Sequence, residues 1–293
     1  MSSSRHAVVT GTSSGIGKAI ASRLLADGWK VTGLSRTESS LGEGFSWLHA
    51  DLAEPESLAS VVSSLEPADA LVHAAGFQRT AHLGFLDPAA LAGMFTVHVA
   101  AASVLANALV PSMPDGGRIV LLGSRTSTGM PGKSHYAATK AALMGLGRTW
   151  AQELAPRGIT VNVLSPGPTD TPMLNDPGRA ATPVKVPALG ALVDPEDVAA
   201  LAAFLLGPHG KSITGQNYVI CGGASSKAAL RPAPALETAG GVPGRRNVPA
   251  VSHRSGVCVV PRGRHHARSQ AFHNGGTSVP GDDSCRAKLS RHL

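Results

Sequence analysis

Near the amino terminus a short apolar run, Ala7-Val8-Val9, leads straight into Thr10-Gly11-Thr12-Ser13-Ser14-Gly15-Ile16-Gly17, and an Ala- and Leu-rich stretch from Lys18 to about Ala26 follows. The run suits a buried strand and the later stretch a helix. Glycine permits the sharp turn between them and lets the backbone approach a pyrophosphate closely. The amino terminus of the helix would then present free N–H groups and the positive end of its dipole to phosphates. A glycine-rich turn alone is equally well explained as a structural bend. A strand before it and a helix after it make Gly11, Ser13, Ser14, Gly15, Ile16 and Gly17 candidates for holding a dinucleotide.

A second constraint lies twelve residues after Ser124, where the chain reads Tyr136-Ala137-Ala138-Thr139-Lys140. A tyrosine and a lysine four apart on a helix share one face. A free phenol has a pKa near ~10 and exchanges protons poorly at neutral pH. A unit charge at ~4 Å contributes roughly 4 kcal/mol at an effective dielectric of ~20. That would bring the phenol down by up to ~3 pH units. Lys140 is therefore expected to make Tyr136 a general acid/base. By itself the spacing occurs by chance in many helices.

Taken together the motifs resemble the short-chain dehydrogenase/reductase family. The matching pieces are the glycine turn, Asp51-Leu52, Ala74-Ala75-Gly76, Ser124, Tyr136 with Lys140, and Pro166-Gly167, in the family's order and at about its intervals, over roughly residues 5–225. The resemblance implies a single Rossmann-type α/β domain, a doubly wound parallel sheet of about seven strands with helices on both faces. Alternating strand and helix signals argue the same way, with strands expected near 6–10, 30–35, 46–50, 69–74, 118–123, 159–164 and 217–221. Asp87-Pro88 and Asp194-Pro195 look like caps opening helices. Glu153-Leu154-Ala155-Pro156 reads as the end of the helix that carries Tyr136.

The same resemblance assigns roles. Ser124 positions a substrate carbonyl, with Ser127 as an alternative because the interval to Tyr136 is one residue shorter than usual. Tyr136 exchanges the proton, and Lys140 binds the nicotinamide ribose. Asp51 sits where relatives hydrogen-bond the adenine, with a strand-end turn carboxylate as the less favoured alternative. Ala74, Ala75 and Gly76 lie beside the cofactor, with His73 where an Asn is common. Pro166, Gly167 and either Thr169 or Thr171 hold the carboxamide. His98 stands where the family usually has an Asn whose position, partly through its backbone carbonyl, supports a water that passes protons to the lysine. A backbone role survives that change, and with a reference pKa near ~6.5 His98 is itself a candidate relay. At the end of the second strand an acidic residue would favour NAD. Ser35-Arg36 stands there instead. No carboxylate repels a 2′-phosphate, and the Arg36 guanidinium can pair with one, so NADP(H) is expected over NAD(H).

Composition bounds the rest. A chain of 293 residues with 43% hydrophobic content can bury one large core. The first strand begins too early for an apolar secretory leader. Residues 89–110 are apolar enough to raise the membrane question, but His98 and Asn107 interrupt them, and a helix packed on the sheet, with a possible subunit interface, is the expectation. Cys221, Cys258 and Cys285 make no disulfide framework, which points to a cytoplasmic location. The net charge of +7 is uneven: residues 1–225 hold 15 Lys+Arg against 16 Asp+Glu, and residues 226–293 hold 11 against 3. That Gly-, Pro- and Arg-rich tail is expected to be a disordered addition to the 1–225 domain. It carries no standard metal pattern, and a nucleic-acid arm is the less favoured alternative.

These observations lead to an NADP(H)-dependent oxidoreductase that interconverts a small carbonyl compound and its alcohol, as a homodimer or homotetramer and without a metal. The alternatives are a 3-oxoacyl-thioester reductase, for which Arg125, Lys133, Arg148 and Arg179 would form a surface patch for an acyl carrier, and a non-catalytic NADP-binding regulator. Residues 173–193, largely uncharged, are expected to form a mobile lid over a modest, mostly apolar substrate.

Overall fold

The computed structural model describes residues 4–226. The expected 226–293 tail, with Cys258 and Cys285, lies almost wholly outside the described residues. Seven parallel strands form one sheet: β1 (His6–Thr10), β2 (Lys30–Ser35), β3 (Phe45–His49), β4 (Ala70–His73), β5 (Arg118–Leu122), β6 (Thr160–Pro166) and β7 (Asn217–Ile220). Their spatial order is β3-β2-β1-β4-β5-β6-β7. Each lies within two residues of its expected position, because each is a short apolar run bounded by polar or glycine-containing turns.

The strands divide their side chains by strict alternation. Val8, Leu34, Leu71, Ile119, Leu121, Val161 and Val163 point to one face, where they are covered by α2 (Pro55–Ser64), α4 (Ala101–Leu109) and α5 (Ser134–Leu154). Ala7, Val9, Val31, Val72, Val120, Leu122 and Leu164 point to the other, beneath α1 (Gly15–Ala26) and α6 (Pro195–Leu206). Two cores thus sandwich the sheet, and its central strands β1, β4 and β5, buried on both sides, read as continuous apolar runs, whereas the outer strands β3 and β7 are only partly buried. Both proposed aspartate caps are real: Asp87 accepts from Ala89 N at 2.9 Å and Asp194 from Glu196 N at 2.9 Å.

The apolar stretch that raised the membrane question is a helix spanning Pro88–Leu109, long and apolar enough to cross a membrane by length and composition alone. It consists of α3 (Pro88–Phe95), a π-helical turn (Thr96–Ala100) and α4. Its buried stripe, Met94, Val97, Ala101, Ala102, Leu105 and Leu109, packs within the fold against β4, α2 and α5.

The strand order reverses between β1 and β4, and the carboxyl ends of these two strands open a crevice. Two glycines set its depth. Gly11 has φ +78°, and a Cβ there would lie 3.0 Å from Ala75 Cα at the end of β4. A Cβ on Gly17 would overlap the carbonyl oxygen of Gly11. No flexible side chain can yield at either place. Gly17→Ala is therefore expected to destabilise the protein by about 3 kcal/mol, measured as a lowered urea midpoint at an unchanged m-value.

Candidate active site

A cavity of about 1120 Å³ runs along the carboxyl ends of the strands. Every residue expected to hold the cofactor lines it, from Gly11, Ser13, Ser14, Gly15, Ile16 and Gly17, through Ser35, Arg36, Asp51, Leu52, Ala74, Ala75 and Gly76, to Pro166, Gly167, Thr169 and Thr171. Ser124, Tyr136 and Lys140 line it too; the His98 ring does not.

At the glycine end the backbone fits a dinucleotide. The cradle has no room for a Cβ, and α1 begins at Gly15 with no side chain capping its first N–H groups. The Ser35 hydroxyl donates to Thr37 O at 2.8 Å and accepts from Trp47 Nε1 at 3.0 Å, so its proton is committed to the turn that presents Arg36. Arg36 itself is exposed at the cavity edge. Asp51 serves the turn through one carboxylate oxygen, which accepts from Ala53 N at 3.0 Å. Thr169 and Thr171 both donate to backbone carbonyls, of Gly167 at 3.1 Å and of Thr169 at 3.4 Å. The Thr171 side chain packs beside Gly15, which joins the loop after β6 to the glycine turn.

The acid/base group is assembled from three elements. Ser124, just after β5, accepts from Thr126 N at 3.1 Å, and it lines the same cavity as the Tyr136 phenol. Ser127 is off the cavity with its hydroxyl buried and unpartnered, so the geometry favours Ser124. Tyr136 and Lys140 share a face of α5 as expected, and both are buried.

The expected electrostatics are corrected, however. Burial pushes the Tyr136 phenol up, and the opposing influences are the Ser124 side chain and the Arg179 charge. Lys140 Nζ instead donates to Leu122 O at 2.7 Å and stands 5.8 Å from the tyrosine ring centroid. Burial also brings its own pKa down to about 7. A buried ammonium loses much of the charge that would have acted on its neighbour.

The His98 side chain is held at both nitrogens. Its Nε2 accepts from Phe77 N at 3.1 Å, so Nε2 carries no proton and Nδ1 is the N–H that donates to Thr139 Oγ1 at 2.9 Å. The Thr139 hydroxyl then donates to Tyr136 O at 2.9 Å. Burial, with Lys140 and His73 nearby, holds His98 well below its usual pKa. With both nitrogens occupied, the ring is a strut behind Gly76 and against the edge of Tyr136, at 5.7 Å between centroids, rather than a relay. His73 is similarly engaged. Thr10 Oγ1 accepts from Ala74 N and Ala75 N at 3.0 and 2.9 Å and gives its proton to His73 Nδ1 at 3.2 Å. His73 Nε2 in turn donates to Val97 O at 3.0 Å, within the π-helical turn. Burial brings His73 to about 4, so it stays neutral.

The far end of the cavity departs from expectation in its charge. The segment after β6 lines it as a lid would, in two 3-10 turns (Pro172–Asn175 and Pro177–Arg179) and irregular chain. The Arg79–Asp176 ion pair at 2.9 Å and a Thr80 N to Gly178 O bond at 2.9 Å tie it to the segment after β4. It is largely apolar, as expected, with Met173, Leu174, Val184 and Val186 on the cavity, but Arg179 lines the cavity too, with Arg125 and Lys133. Those three do converge, but inside the cavity, whereas Arg148 is exposed on α5 and away from it. Gln78, whose buried amide nitrogen has no partner, joins them and had no sequence signal.

This sheet order, glycine cradle and switch-point cavity define a dinucleotide-binding doubly wound fold. A family profile described as Enoyl-(Acyl carrier protein) reductase matches residues 11–225. The 3-oxoacyl-(acyl-carrier-protein) reductase FabG of Vibrio cholerae serotype O1 is 36% identical over 234 residues, 74% of this chain and 96% of that protein. Among solved structures, a short chain dehydrogenase from Burkholderia cenocepacia J2315 in complex with NADP is similar at 35% identity and a TM-score of 0.66, over 76% of this chain and 98% of its own. A 3-ketoacyl-(acyl-carrier-protein) reductase from Brucella melitensis complexed with NADH is similar at 27% identity and a TM-score of 0.68, over 75% and 98%. The chain belongs to the short-chain dehydrogenase/reductase family and is an oxidoreductase of that type.

The lowered Lys140 value has a consequence for stability. Unfolded, the ammonium titrates at 10.5; folded, at about 7. Between these values the unfolded chain holds a proton that the folded chain has released, so stability rises with pH. Below about 7 both states are protonated and the full burial penalty applies. Lys133, brought to about 8, acts in the same direction. Lys140→Met is thus expected to raise Tm most near neutral pH and below, with the gain shrinking toward about pH 10; thermal melts across that range check it.

Proposed function

We propose that this enzyme reduces a ketone or aldehyde to the alcohol with NADPH, reversibly, and that Ser124, Tyr136 and Lys140 carry the chemistry. The observation that carries the reading is that Ser124, Tyr136 and Lys140 line the same cavity as the glycine cradle. The residues of the cradle, with Lys140 and the loop from Pro166 to Thr171, would hold the cofactor, which when bound supplies the hydride. Ser124 orients the substrate carbonyl. Tyr136, kept protonated by burial, is the acid that delivers a proton to the nascent alkoxide. Lys140, with its pKa at about 7, exchanges protons near neutral pH and so can help to reset the phenol. His98 holds Tyr136 in place through Thr139.

Arg36, exposed at the adenosine end with no carboxylate ion-paired to it among the described residues, supports NADP(H) over NAD(H). The Burkholderia cenocepacia neighbour, bound to NADP, is consistent with that choice, and the NADH complex of the Brucella melitensis neighbour makes it worth measuring. A second reading, reduction of a 3-oxoacyl thioester, is favoured by the name of the Vibrio cholerae relative. The half-exposed Phe95 and Val104 on the α3–α4 face support assembly into a homo-oligomer.

Two measurements test the reading. Tyr136→Phe should lower turnover of a carbonyl panel, followed by NADPH absorbance, by roughly 10²- to 10⁴-fold while NADPH still binds; unchanged turnover would refute the assigned acid. Arg36→Asp should shift the ratio of kcat/KM for NADPH over NADH by about tenfold or more toward NADH, the scale of one charge-assisted contact. A wild-type preference for NADH would contradict the cofactor assignment.

A further inference from the structure

Besides Arg36 at the adenosine end, the ion-paired Arg79 and the exposed Lys185, the cavity of Ser124 and Tyr136 is lined by Arg125 from the turn after β5, Lys133 immediately before α5, and Arg179 from the segment after β6. Lys133 and Arg179 are only 7% and 8% exposed. Among the described residues the ion pairs are Arg23–Asp27, Arg79–Asp176 and Arg157–Asp115, so none of the three has a carboxylate partner there. Arg179 gives one hydrogen bond, to Met173 O at 3.2 Å, and its buried Nε has no partner. Arg125 reaches only the Met130 sulfur, at 3.5 Å, and its Nε is likewise buried and unpartnered. The Lys133 ammonium makes no hydrogen bond among the described residues.

Asp176, whose carboxylate is ion-paired to Arg79, is the counter-charge that acts on Arg179, and it pairs directly with none of the three; buried cations without an ion-pair partner weaken a fold and are rarely kept for stability. These also act on one another, since Arg179 and Arg125 both depress Lys133. The amino terminus of α5, beginning at Ser134, adds the positive end of its dipole beside them. Guanidinium forks and an ammonium with N–H groups to spare match the geometry of an oxyanion. All three line the cavity that Ser124 and Tyr136 line, and the Arg179 charge acts on the Tyr136 phenol, which puts Arg179 near the reacting end.

We propose that Lys133, Arg179 and Arg125 form an oxyanion subsite, and that the carbonyl substrate bears a carboxylate or phosphate seated there beside Tyr136. The proposal rests on the carbonyl-reductase reading and narrows it. It also weighs against the acyl-thioester alternative, because the oxo end of such a substrate is uncharged and a carrier protein would need cations on an outer surface.

The test compares 2-oxobutanoate, 3-oxobutanoate and 4-oxopentanoate with their methyl esters, and dihydroxyacetone phosphate with dihydroxyacetone, on the full-length protein. Turnover is followed by NADPH absorbance and binding by thermal shift with NADP⁺ present. At least one charged probe should exceed its neutral partner by about tenfold or more in kcat/KM; the acid and phosphate arms identify the anion. In Lys133→Met and Arg179→Met that charged-to-neutral ratio should fall toward one, with Lys133→Gln and Arg179→Gln as substitutes should either variant fold poorly. Wild-type ratios near one for every pair, or ratios unchanged in the variants, overturn the subsite while leaving the reductase reading intact. If no probe is turned over, binding decides. Selective binding of charged probes that the variants lose upholds the subsite and points the failure at the reductase reading; unselective binding overturns the subsite.

Discussion

The close approach of the first strand's end to the fourth is the constraint on which this molecule depends. Gly11 leaves no space between its own backbone and that of Ala75, and the Thr10 hydroxyl gathers the amides of Ala74 and Ala75 before passing its proton to His73. His73 then holds the Val97 carbonyl in the π-helical turn. One buried hydroxyl thereby ties β1, β4 and the long apolar helix together at the point where the sheet order reverses. The dinucleotide cradle is the outer surface of that junction. A buried polar chain of this kind is stable only when every donor finds an acceptor, and both histidines satisfy the condition by remaining neutral.

Behind the junction, His98 and Thr139 carry the connection to the backbone of Tyr136. The proposed acid therefore sits on a helix that is held from the cofactor side of the fold. Burial has two effects here. It keeps the phenol protonated, which suits a proton donor, and it brings Lys140 near neutrality, which suits a group that must gain and lose a proton in each cycle. Both differ from the simple expectation of a fixed cation acidifying its neighbour. A distance inferred from helical spacing carries no information about where a flexible side chain ends or how much charge it keeps.

Much of the architecture was legible along the chain. Seven apolar runs alternate with helical stretches, two Asp-Pro pairs cap helices, and the glycine turn has its strand and helix on either side. Such features are local, set by a few neighbouring residues. The residues around the cofactor crevice were legible for the same reason, each standing at the end of a strand. The hydrogen bonds of His98 were not legible, because its partners in space, Phe77 and Thr139, are far from it in sequence. The apolar lining from residues 173–193 was legible in their composition, but the one buried arginine among them shares the cavity with two cations from the turn after β5 and the start of α5, which no local pattern shows.

The sequence by itself determined that this chain folds as a doubly wound parallel sheet with a phosphate cradle after its first strand, since periodicity and glycine placement act over a few residues. Only the tertiary structure decided the protonation of Tyr136, Lys140 and the two histidines, and the gathering of Arg125, Lys133 and Arg179 into one enclosed space. Those properties come from burial and from contacts between distant segments, and neither exists until the chain has packed.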